Sequence, residues 1–442
     1  MFENLDKLTA ILFSMLILGQ AYLIRQVVGT WIFPACLFSL AWFAYTFFPL
    51  VLLFNVPVEP LSIAFIFICT FLFSLSALPF NWPKAFEANK QKTSDDAARF
   101  DSKFLRRLFY FSSITAIGST IVSVNSNGFH LSSMVFDLLK TSGKYATLRG
   151  QGELDYGGWG KSSIVFTYVT AALGGFVYYG AKKLLQKVAF LIVAFAPSVF
   201  VMLTQSAKLI LFLSFGFFCG AILIQKIYNN KFELMSGKLI LQIGGVALFI
   251  LPLLSVSFLS RNVHSDGGDA MSAVLTSIFS YAFAHVYAFS DWFSHYLKNV
   301  SMQEYVDNYY AYGNYTFQSI YELLGDGLIF PSGVYDEYFS YENLFTSNLY
   351  TVFRGLIYDF GGVGVLIFML ACGLLVHAFY YRILAVSSSW AACVVFIISL
   401  VSFQASFIIS LFMARYMYLI FIVLLFILYT NDFFWNRGKN SD

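Results

Sequence analysis

The sequence predicts an all-α protein that crosses a membrane about eleven times. Of its 442 residues, 59% are hydrophobic and only 12% are charged, whereas roughly 25% of the residues in an ordinary soluble domain are charged. Apolar runs long enough to cross roughly 30 Å of hydrocarbon recur along the whole chain. This composition excludes a soluble globular protein. No separate Lys/Arg-rich block is present, which argues against nucleic acid as a partner.

Eleven apolar segments have the length and composition of transmembrane helices. They lie at 8–24, 31–54, 61–80, 108–125, 162–180, 188–204, 209–225, 239–259, 361–381, 388–411 and 416–431. The region 1–125 carries the first four, with a polar connection at 81–107. The region 162–259 carries four more, and the region 346–442 carries the last three.

The charges predict which side each connection faces. If every segment crosses, most lysines and arginines fall on one side and most acids on the other, which is the positive-inside asymmetry. The N terminus is then outside and the C terminus inside; if the first segment does not cross, only the N terminus changes side. The first 25 residues begin with acids and lack a small-x-small cleavage site, which predicts an uncleaved anchor. All five cysteines lie in predicted spans, which favours neither a disulfide nor a thiolate metal site.

Two outside loops, 126–161 and 260–345, are longer than a connection requires, and loops of that length are usually functional. The second contains twelve tyrosines and ten acids. Within it we expect Met271–Phe293 to form an amphipathic helix at the membrane interface. Tyrosines here suit either the headgroup level of the bilayer or a carbohydrate surface, since aromatic faces pack against sugar C–H faces. Those concerned are Tyr305, Tyr309, Tyr310, Tyr312, Tyr315 and Tyr321.

Several cations lie on the predicted outer side, against the topology rule. Guanidinium groups bind phosphate bidentately, so arginines at headgroup depth suit a phosphate-bearing ligand. For each cation taken alone, a snorkelling side chain or a local ion pair is the alternative. The cations are Arg149, Lys161, Lys208, Arg261, Arg354 and Arg415.

Arg354 stands just before the predicted span 361–381. If this stretch is helical, i,i+4 spacing places Tyr350, Arg354 and Tyr358 on one stripe. Asp359 is then available as the ion-pair partner of Arg354 or of Arg415. Three small residues allow close approach of a neighbour or ligand, namely Gly355, Gly361 and Gly362.

Candidate general bases lie near the predicted outer ends of spans. His264 and Asp266 follow Arg261 closely, and a His or Asp beside a phosphate-binding Arg can act as a base. Glu153 and Asp155 form the other candidate carboxylate pair. No cluster of His and Asp accompanies that pair, so we expect no metal, and a single divalent ion at the pair is the alternative. No cofactor is expected. A lone His in a loop is also commonly just polar surface.

Several motifs are missing from the sequence. It contains no P-loop, no Gly-x-Gly-x-x-Gly before a soluble helix, no His-Glu-x-x-His and no Asp-x-Asp. An ATP-driven pump and a cytoplasmic enzyme that uses nucleotide-sugars are therefore disfavoured.

The layout and the segment from Asn348 through Arg354 to the Asp-Phe-Gly-Gly at 359–362 resemble the O-antigen polymerases of the Wzy type. The turn Leu203–Lys208 and the span exit at Arg261 add to this resemblance. Relatives often carry Arg near the position of Lys208. Some members have an Arg, ten residues and then Gly in outside loops, and Arg149 is followed in this way by Gly160.

The resemblance implies a GT-C-like multi-span glycosyltransferase of the bacterial inner membrane, with its active site facing the periplasm. Both substrates are then glycans linked to undecaprenyl pyrophosphate within membrane lipid, and a chain-length regulator is an expected partner. The related ligases use a His, ten residues and then Gly, which none of the five histidines satisfies.

The resemblance also implies roles for the candidate residues. Arg261 and Arg354 bind pyrophosphate, assisted by Arg149, Arg415 and Lys208, which stands near a position where relatives often carry Arg. The base is His264, Asp266 or Glu153, and Tyr350 and Tyr358 contact substrate beside Arg354. An O-antigen ligase, a lipid-linked oligosaccharide flippase or other transporter, and a non-catalytic scaffold remain the alternatives.

Overall fold

The computed structural model describes residues 2–130, 137–151, 153–154, 157–234, 270–306, 310–325 and 335–439, which are mostly helical. The helices are α1 (Phe2–Val28), α2 (Pro34–Leu52), α3 (Pro60–Leu75), α4 (Trp82–Lys90), α5 (Ser94–Ala98), α6 (Lys103–Ser126), α7 (Leu138–Gly150), α8 (Gly157–Gly180), α9 (Leu184–Gln205), α10 (Lys208–Tyr228), α11 (Ala270–Ala282), α12 (Ala284–Lys298), α13 (Asn314–Leu323), α14 (Thr351–Ala385), α15 (Trp390–Ala405) and α16 (Arg415–Lys439). Two short strands, β1 (Phe339–Tyr341) and β2 (Phe345–Ser347), pair antiparallel with Ser340 opposite Thr346.

Eight helices in the described part of the chain are long and apolar enough to cross a membrane. They lie on α1, α2, α6, α8, α9, α10, α14 and α16. The protein is therefore a helical, membrane-embedded protein. Ten of the eleven predicted spans fall on helices, and the remaining one, 239–259, lies outside the described residues.

Three of these ten helices, α2, α3 and α15, are shorter than the sequence predicts. Helices α3 and α15 have 16 residues each, and so extend only about 24 Å at 1.5 Å per residue. The chain leaves α15 after Ala405, and the Ser406 carbonyl accepts a hydrogen bond from Val352 N at the start of α14 (2.8 Å). Hydropathy alone extended the predicted spans because apolar residues continue beyond both helix ends.

The chain divides into two compact units. The first comprises Met1–Ala85, Leu275–Tyr381 and Ser402–Arg415, and the second comprises Phe86–Val274, Arg382–Val401 and Tyr416–Asp442.

In the first unit, buried polar side chains join the helices. Gln20 Nε2 of α1 donates to Ser39 Oγ of α2 (3.1 Å) and to the Thr70 carbonyl of α3 (2.8 Å). Lys7 is 1% exposed, and its Nζ donates to the Leu53 carbonyl at 3.2 Å. This carbonyl lies at the C-terminal end of α2, where the helix dipole favours a cation.

In the second unit, α8 packs closely against its neighbours through small residues. A Cβ added at Gly174 would lie 2.5 Å from Ala194 Cβ of α9, and one added at Gly175 would meet the Phe218 carbonyl of α10. Arg99 forms an ion pair with Asp432 of α16 at 2.8 Å. The unit thus combines a small-residue helix contact with a largely buried ion pair.

The predicted interfacial helix Met271–Phe293 is instead two helices. Phe283 separates α11 from α12 with φ −126° and ψ −24°. Every residue from Ala284 to Phe293 is buried, so this part of α12 has no polar face open to solvent. The prediction of one amphipathic helix was wrong because His285 and Asp291 have internal partners, the Tyr45 carbonyl for His285 and the Met302 and Tyr305 donors for Asp291.

Helix α14 bends at Gly361, whose φ of 68° and ψ of 167° are not helical. This backbone conformation is essentially restricted to glycine. The bend separates an initial segment that carries Arg354 from the apolar segment predicted as the span 361–381. Arg354 therefore lies in its own short helical segment, directly before the predicted span.

Candidate functional site

The structure brings together three of the predicted site residues, Tyr350, Arg354 and Tyr358, in the first unit. Arg415 belongs to the same unit, where its guanidinium forms an ion pair with Glu322 and is half exposed. Glu153 is exposed and Lys208 is half-buried as the first residue of α10, and both belong to the second unit.

Other predicted residues are not placed. Arg149 belongs to α7, but its side chain is not among those described. Arg261, His264 and Asp266 lie outside the described residues, as does Asp155. Their proposed roles stay predictions.

Arg354 is enclosed by protein, with only 1% of its surface exposed. Its Nη2 lies 3.1 Å from Glu337 Oε2 and donates to the Tyr358 hydroxyl at 3.3 Å. The pair with Tyr358 follows from i,i+4 spacing within the first turns of α14. Tyr350 directly precedes that helix, and its ring centroid lies 4.1 Å from the guanidinium carbon.

Five aromatic rings surround the guanidinium, which we call the aromatic cage. Tyr335 and Tyr350 are nearest, with ring centroids 4.0 and 4.1 Å from the guanidinium carbon. Their rings stand at 81° to each other, so they close two adjacent sides of the guanidinium. The remaining three centroids lie 5.3 to 5.4 Å away. They belong to Trp292, Tyr305 and Tyr358.

Glycines on α14 allow tyrosine side chains to approach the helix closely. A Cβ at Gly355 would lie 3.3 Å from both Tyr315 Cβ and the Tyr335 hydroxyl oxygen. A Cβ at Gly361 would lie 3.4 Å from the ring of Tyr310. The sequence predicted close approach at these glycines, and the neighbours that approach are tyrosines of the predicted loop.

Asp359 has a different role from the ion pair that the sequence suggested. Its two carboxylate oxygens accept hydrogen bonds from the backbone N–H groups of Tyr315 (2.9 Å) and Thr316 (2.6 Å). These residues begin α13, so Asp359 caps a neighbouring helix. Arg354 and Arg415 pair instead with Glu337 and Glu322. Spacing along the chain favoured Asp359, but its position on α14 directs it to α13.

The tyrosines of the predicted loop are not all surface residues. Tyr305 belongs to the aromatic cage, and the Tyr315 ring stacks on those of Tyr335 and Tyr358. Tyr310 and Tyr312 are 59% and 76% exposed. The exposed pair is compatible with either predicted use, the headgroup region or a sugar surface.

A buried carboxylate supports one wall of the cage. Asp291 accepts hydrogen bonds from Met302 N and from the Tyr305 hydroxyl, both at 2.8 Å. Burial raises the pKa of Asp291, although these hydrogen bonds oppose the shift. Burial also raises the pKa of Tyr305 and Tyr335, and that of Tyr350 to about 12. These three phenols are therefore neutral at physiological pH.

The guanidinium retains spare hydrogen-bonding capacity. Nε and Nη1 of Arg354 have no hydrogen-bond partner among the described residues, and Glu337 is its one ion-pair partner there. A buried donor without an acceptor is costly. Guanidinium groups bind carboxylates and phosphates through two parallel N–H···O bonds, so these donors fit an oxygen-rich anion.

Sequence reasoning found Arg354 and its two tyrosines but missed Glu337, Trp292, Tyr335 and Asp291. These residues come from separate segments, and no periodicity relates them to Arg354. The only available signal was the occurrence of acids among the tyrosines of the predicted loop 260–345. Across the described segments, no three His, Cys, Asp or Glu side chains are grouped as a metal ion would require.

Comparison of the chain with protein-family models, with curated proteins and with solved structures gives no match. The fold and the site therefore define the protein at the level of a class. It is a helical membrane protein with a buried arginine in an aromatic cage, close to the start of an apolar helix.

Proposed function

We propose that this protein is a glycosyltransferase that polymerises oligosaccharide repeat units linked to undecaprenyl pyrophosphate into O-antigen or a similar surface polysaccharide. The proposal rests on the resemblance of the sequence to the polymerases and on one observation, the buried guanidinium of Arg354 with two nitrogens lacking an acceptor in the described structure. Such a group suits the pyrophosphate of a lipid-linked glycan.

The proposed reaction transfers the growing chain onto a single repeat unit. A hydroxyl of the acceptor sugar attacks C1 of the donor's reducing-end sugar, and a new C1–O bond forms. The bond from C1 to the pyrophosphate oxygen breaks, and undecaprenyl pyrophosphate leaves with that electron pair. A base takes the hydroxyl proton, and His264, Asp266 and Glu153 are the candidates.

Arg354 stabilises the departing charge in this proposal. Donors directed at charge that develops in a transition state typically contribute a factor of about 10²–10³ in rate each. Water exclusion around Arg354, which is 1% exposed, strengthens such an interaction because the local dielectric is low. Arg261, Arg149, Arg415 and Lys208 are the candidates for further phosphate contacts.

The proposed setting is the bacterial inner membrane, with the site on the periplasmic side. The initial segment of α14 carries Arg354 before the bend at Gly361 and the predicted span. That order along the chain supports a position of the arginine near the end of a crossing helix, at the depth of a lipid headgroup. A chain-length regulator is the proposed partner protein, and no cofactor is proposed.

The experiment is a gel of membrane glycans from cells that carry the intact gene, a deletion, Arg354→Ala or Lys298→Ala at equal protein level. Lys298 is the matched control, because it pairs with Glu59 at the surface of the same unit. We expect the deletion and Arg354→Ala to leave a single repeat unit on the lipid core, and Lys298→Ala to keep the full ladder.

Other outcomes would identify a different function. Long polymer that accumulates on undecaprenyl pyrophosphate would show a ligase. Repeat units that never reach the outer face would show a transporter. An unchanged ladder in the deletion strain would contradict all three.

A further inference from the structure

We propose that Glu337 occupies the anion site on Arg354 when no substrate is present, and that lipid pyrophosphate binds there by displacing this carboxylate. The inference rests on the proposed function and deepens it, because it adds Glu337 to the site and describes how a fully buried arginine is reached by its ligand.

The carboxylate of Glu337 and the backbone of Glu337 are held by different contacts. One oxygen contacts Arg354 Nη2 at 3.1 Å, and the other accepts from Val306 N at 3.4 Å. The Glu337 carbonyl oxygen separately accepts from the Tyr350 hydroxyl at 3.2 Å. The side chain can therefore leave the guanidinium while the backbone stays attached to the cage.

The backbone beside Glu337 has a second attachment. Asn348 Nδ2 donates to the Tyr335 carbonyl at 3.1 Å, so residues 335–337 are tied to the chain that leads into α14 at two points. Neither attachment uses the carboxylate. Displacement of the carboxylate thus requires a side-chain rotation rather than an opening of this segment.

Exposure indicates the direction from which a ligand reaches the arginine. The side chain of Arg354 is 1% exposed, whereas that of Glu337 is 19% exposed. Aromatic rings occupy the other sides of the guanidinium that the structure describes. The carboxylate of Glu337 therefore lies on the side from which a ligand would approach the guanidinium.

Charge and donor number favour the exchange. Glu337 engages one of the three guanidinium nitrogens, and Nε and Nη1 have no acceptor among the described residues. A pyrophosphate carries more negative charge than a carboxylate and offers several oxygens to these donors. The neighbouring phenols do not compete, since Tyr305, Tyr335 and Tyr350 are neutral at physiological pH.

The ion pair between Glu337 and Arg354 also stabilises the ligand-free protein. A buried guanidinium without a counter-charge destabilises a folded protein strongly. Glu337 supplies that charge in the empty site and gives it up to an anion that binds better. Removal of the carboxylate should then lower the free energy of unfolding of the ligand-free protein and also strengthen anion binding. A purely structural ion pair does not combine these two effects.

The test measures binding of farnesyl pyrophosphate to the purified protein in detergent by calorimetry, with Glu337→Gln as the variant. Glu59→Gln is the matched control, because Glu59 is a carboxylate of similar exposure, 15%, in an ion pair of the same unit. We expect Glu337→Gln to lower the Kd about tenfold, and Glu59→Gln to leave it unchanged. We also expect the probe to raise the melting temperature of Glu337→Gln more than that of the unaltered protein.

An unchanged or higher Kd for Glu337→Gln would overturn the exchange. If this variant does not fold, Glu337→Asp serves instead. Its shorter side chain keeps the charge but cannot contact Arg354 as closely, so we expect a Kd below that of the unaltered protein.

Arg354→Ala separates this inference from the proposed function. If the probe binds in a manner that depends on Arg354 but not on Glu337, the inference fails and the proposed anion site stands. If the probe binds equally well without Arg354, both fail.

Discussion

Replacement of Arg354 by lysine tests whether the aromatic cage recognises a planar guanidinium or only a positive charge. Two tyrosine rings approach the guanidinium carbon to 4.0 and 4.1 Å, and the group is 1% exposed. Lysine keeps the charge but cannot stack in this way, and its single nitrogen cannot reproduce the guanidinium geometry.

The expected loss of stability follows from these contacts. Weaker cation–π contact costs about 1 kcal/mol, and loss of one of the hydrogen bonds from Nη2 to Glu337 and Tyr358 costs about 2 kcal/mol because a charged group is involved. We therefore expect Arg354→Lys to lower the free energy of unfolding by about 3 kcal/mol.

The assay is unfolding of the purified protein in mixed micelles of increasing dodecyl sulfate content, followed by tryptophan fluorescence. Trp292 is a suitable reporter, since its ring centroid lies 5.4 Å from the guanidinium carbon. Arg415→Lys is the control, because the Arg415 side chain is 51% exposed and surface ion pairs contribute about 1 kcal/mol or less. Equal losses in the two variants would refute the proposed importance of the cage.

Three further predictions concern other parts of the first unit and use the same unfolding assay. Burial lowers the pKa of His285 to about 3 from its usual 6.5, so the unfolded chain takes up the proton first as the pH falls. The free energy of unfolding should then decrease below pH 6.5, by about 2 kcal/mol at pH 5. His285→Gln should remove this part of the pH dependence, and an unchanged profile would contradict the assignment. Gly361→Ala should lower the free energy of unfolding by about 1–3 kcal/mol because φ is 68° there. The control is Gly19→Ala, inside α1 with no atom within 4 Å of the added Cβ, which should leave that free energy unchanged or raise it by up to about 1 kcal/mol. Similar effects at both glycines would count against a strained bend at Gly361. Asp359→Asn replaces one of the two oxygens that accept hydrogen bonds at the start of α13. This variant should lower the free energy of unfolding by about 1–3 kcal/mol, and an unchanged value would contradict the capping role of Asp359.

Much of the fold is predictable from hydropathy, because an apolar run of about twenty residues has few alternatives in a bilayer. Ten predicted spans lie on helices for this reason. The ends of α3 and α15 were not predictable, since apolar residues continue beyond both. Directly after α15, the Ser406 carbonyl accepts a hydrogen bond from Val352 N of another segment, a contact that no local pattern shows. The division of Met271–Phe293 at Phe283 also depends on tertiary burial.

The site was predictable only where it is local. Helical spacing places Tyr358 one turn from Arg354, and the structure confirms this neighbourhood. Glu337 and Trp292 reach the same guanidinium from other segments of the chain, and no pattern in one sequence relates them. Asp359 was the nearest acid along the chain, yet the helix direction turns it toward α13. Local periodicity thus predicts neighbours on one helix, whereas contacts between segments require the fold.

Reconstitution tests the central claim most directly. The purified protein would be incorporated into lipid vesicles with a repeat unit linked to undecaprenyl pyrophosphate, and the products would be separated by length. We expect a ladder of longer lipid-linked glycans with release of undecaprenyl pyrophosphate, and we expect Arg354→Ala to abolish both. If vesicles that contain the folded, unaltered protein yield no product longer than one repeat unit, the claim that the protein is a polymerase is contradicted.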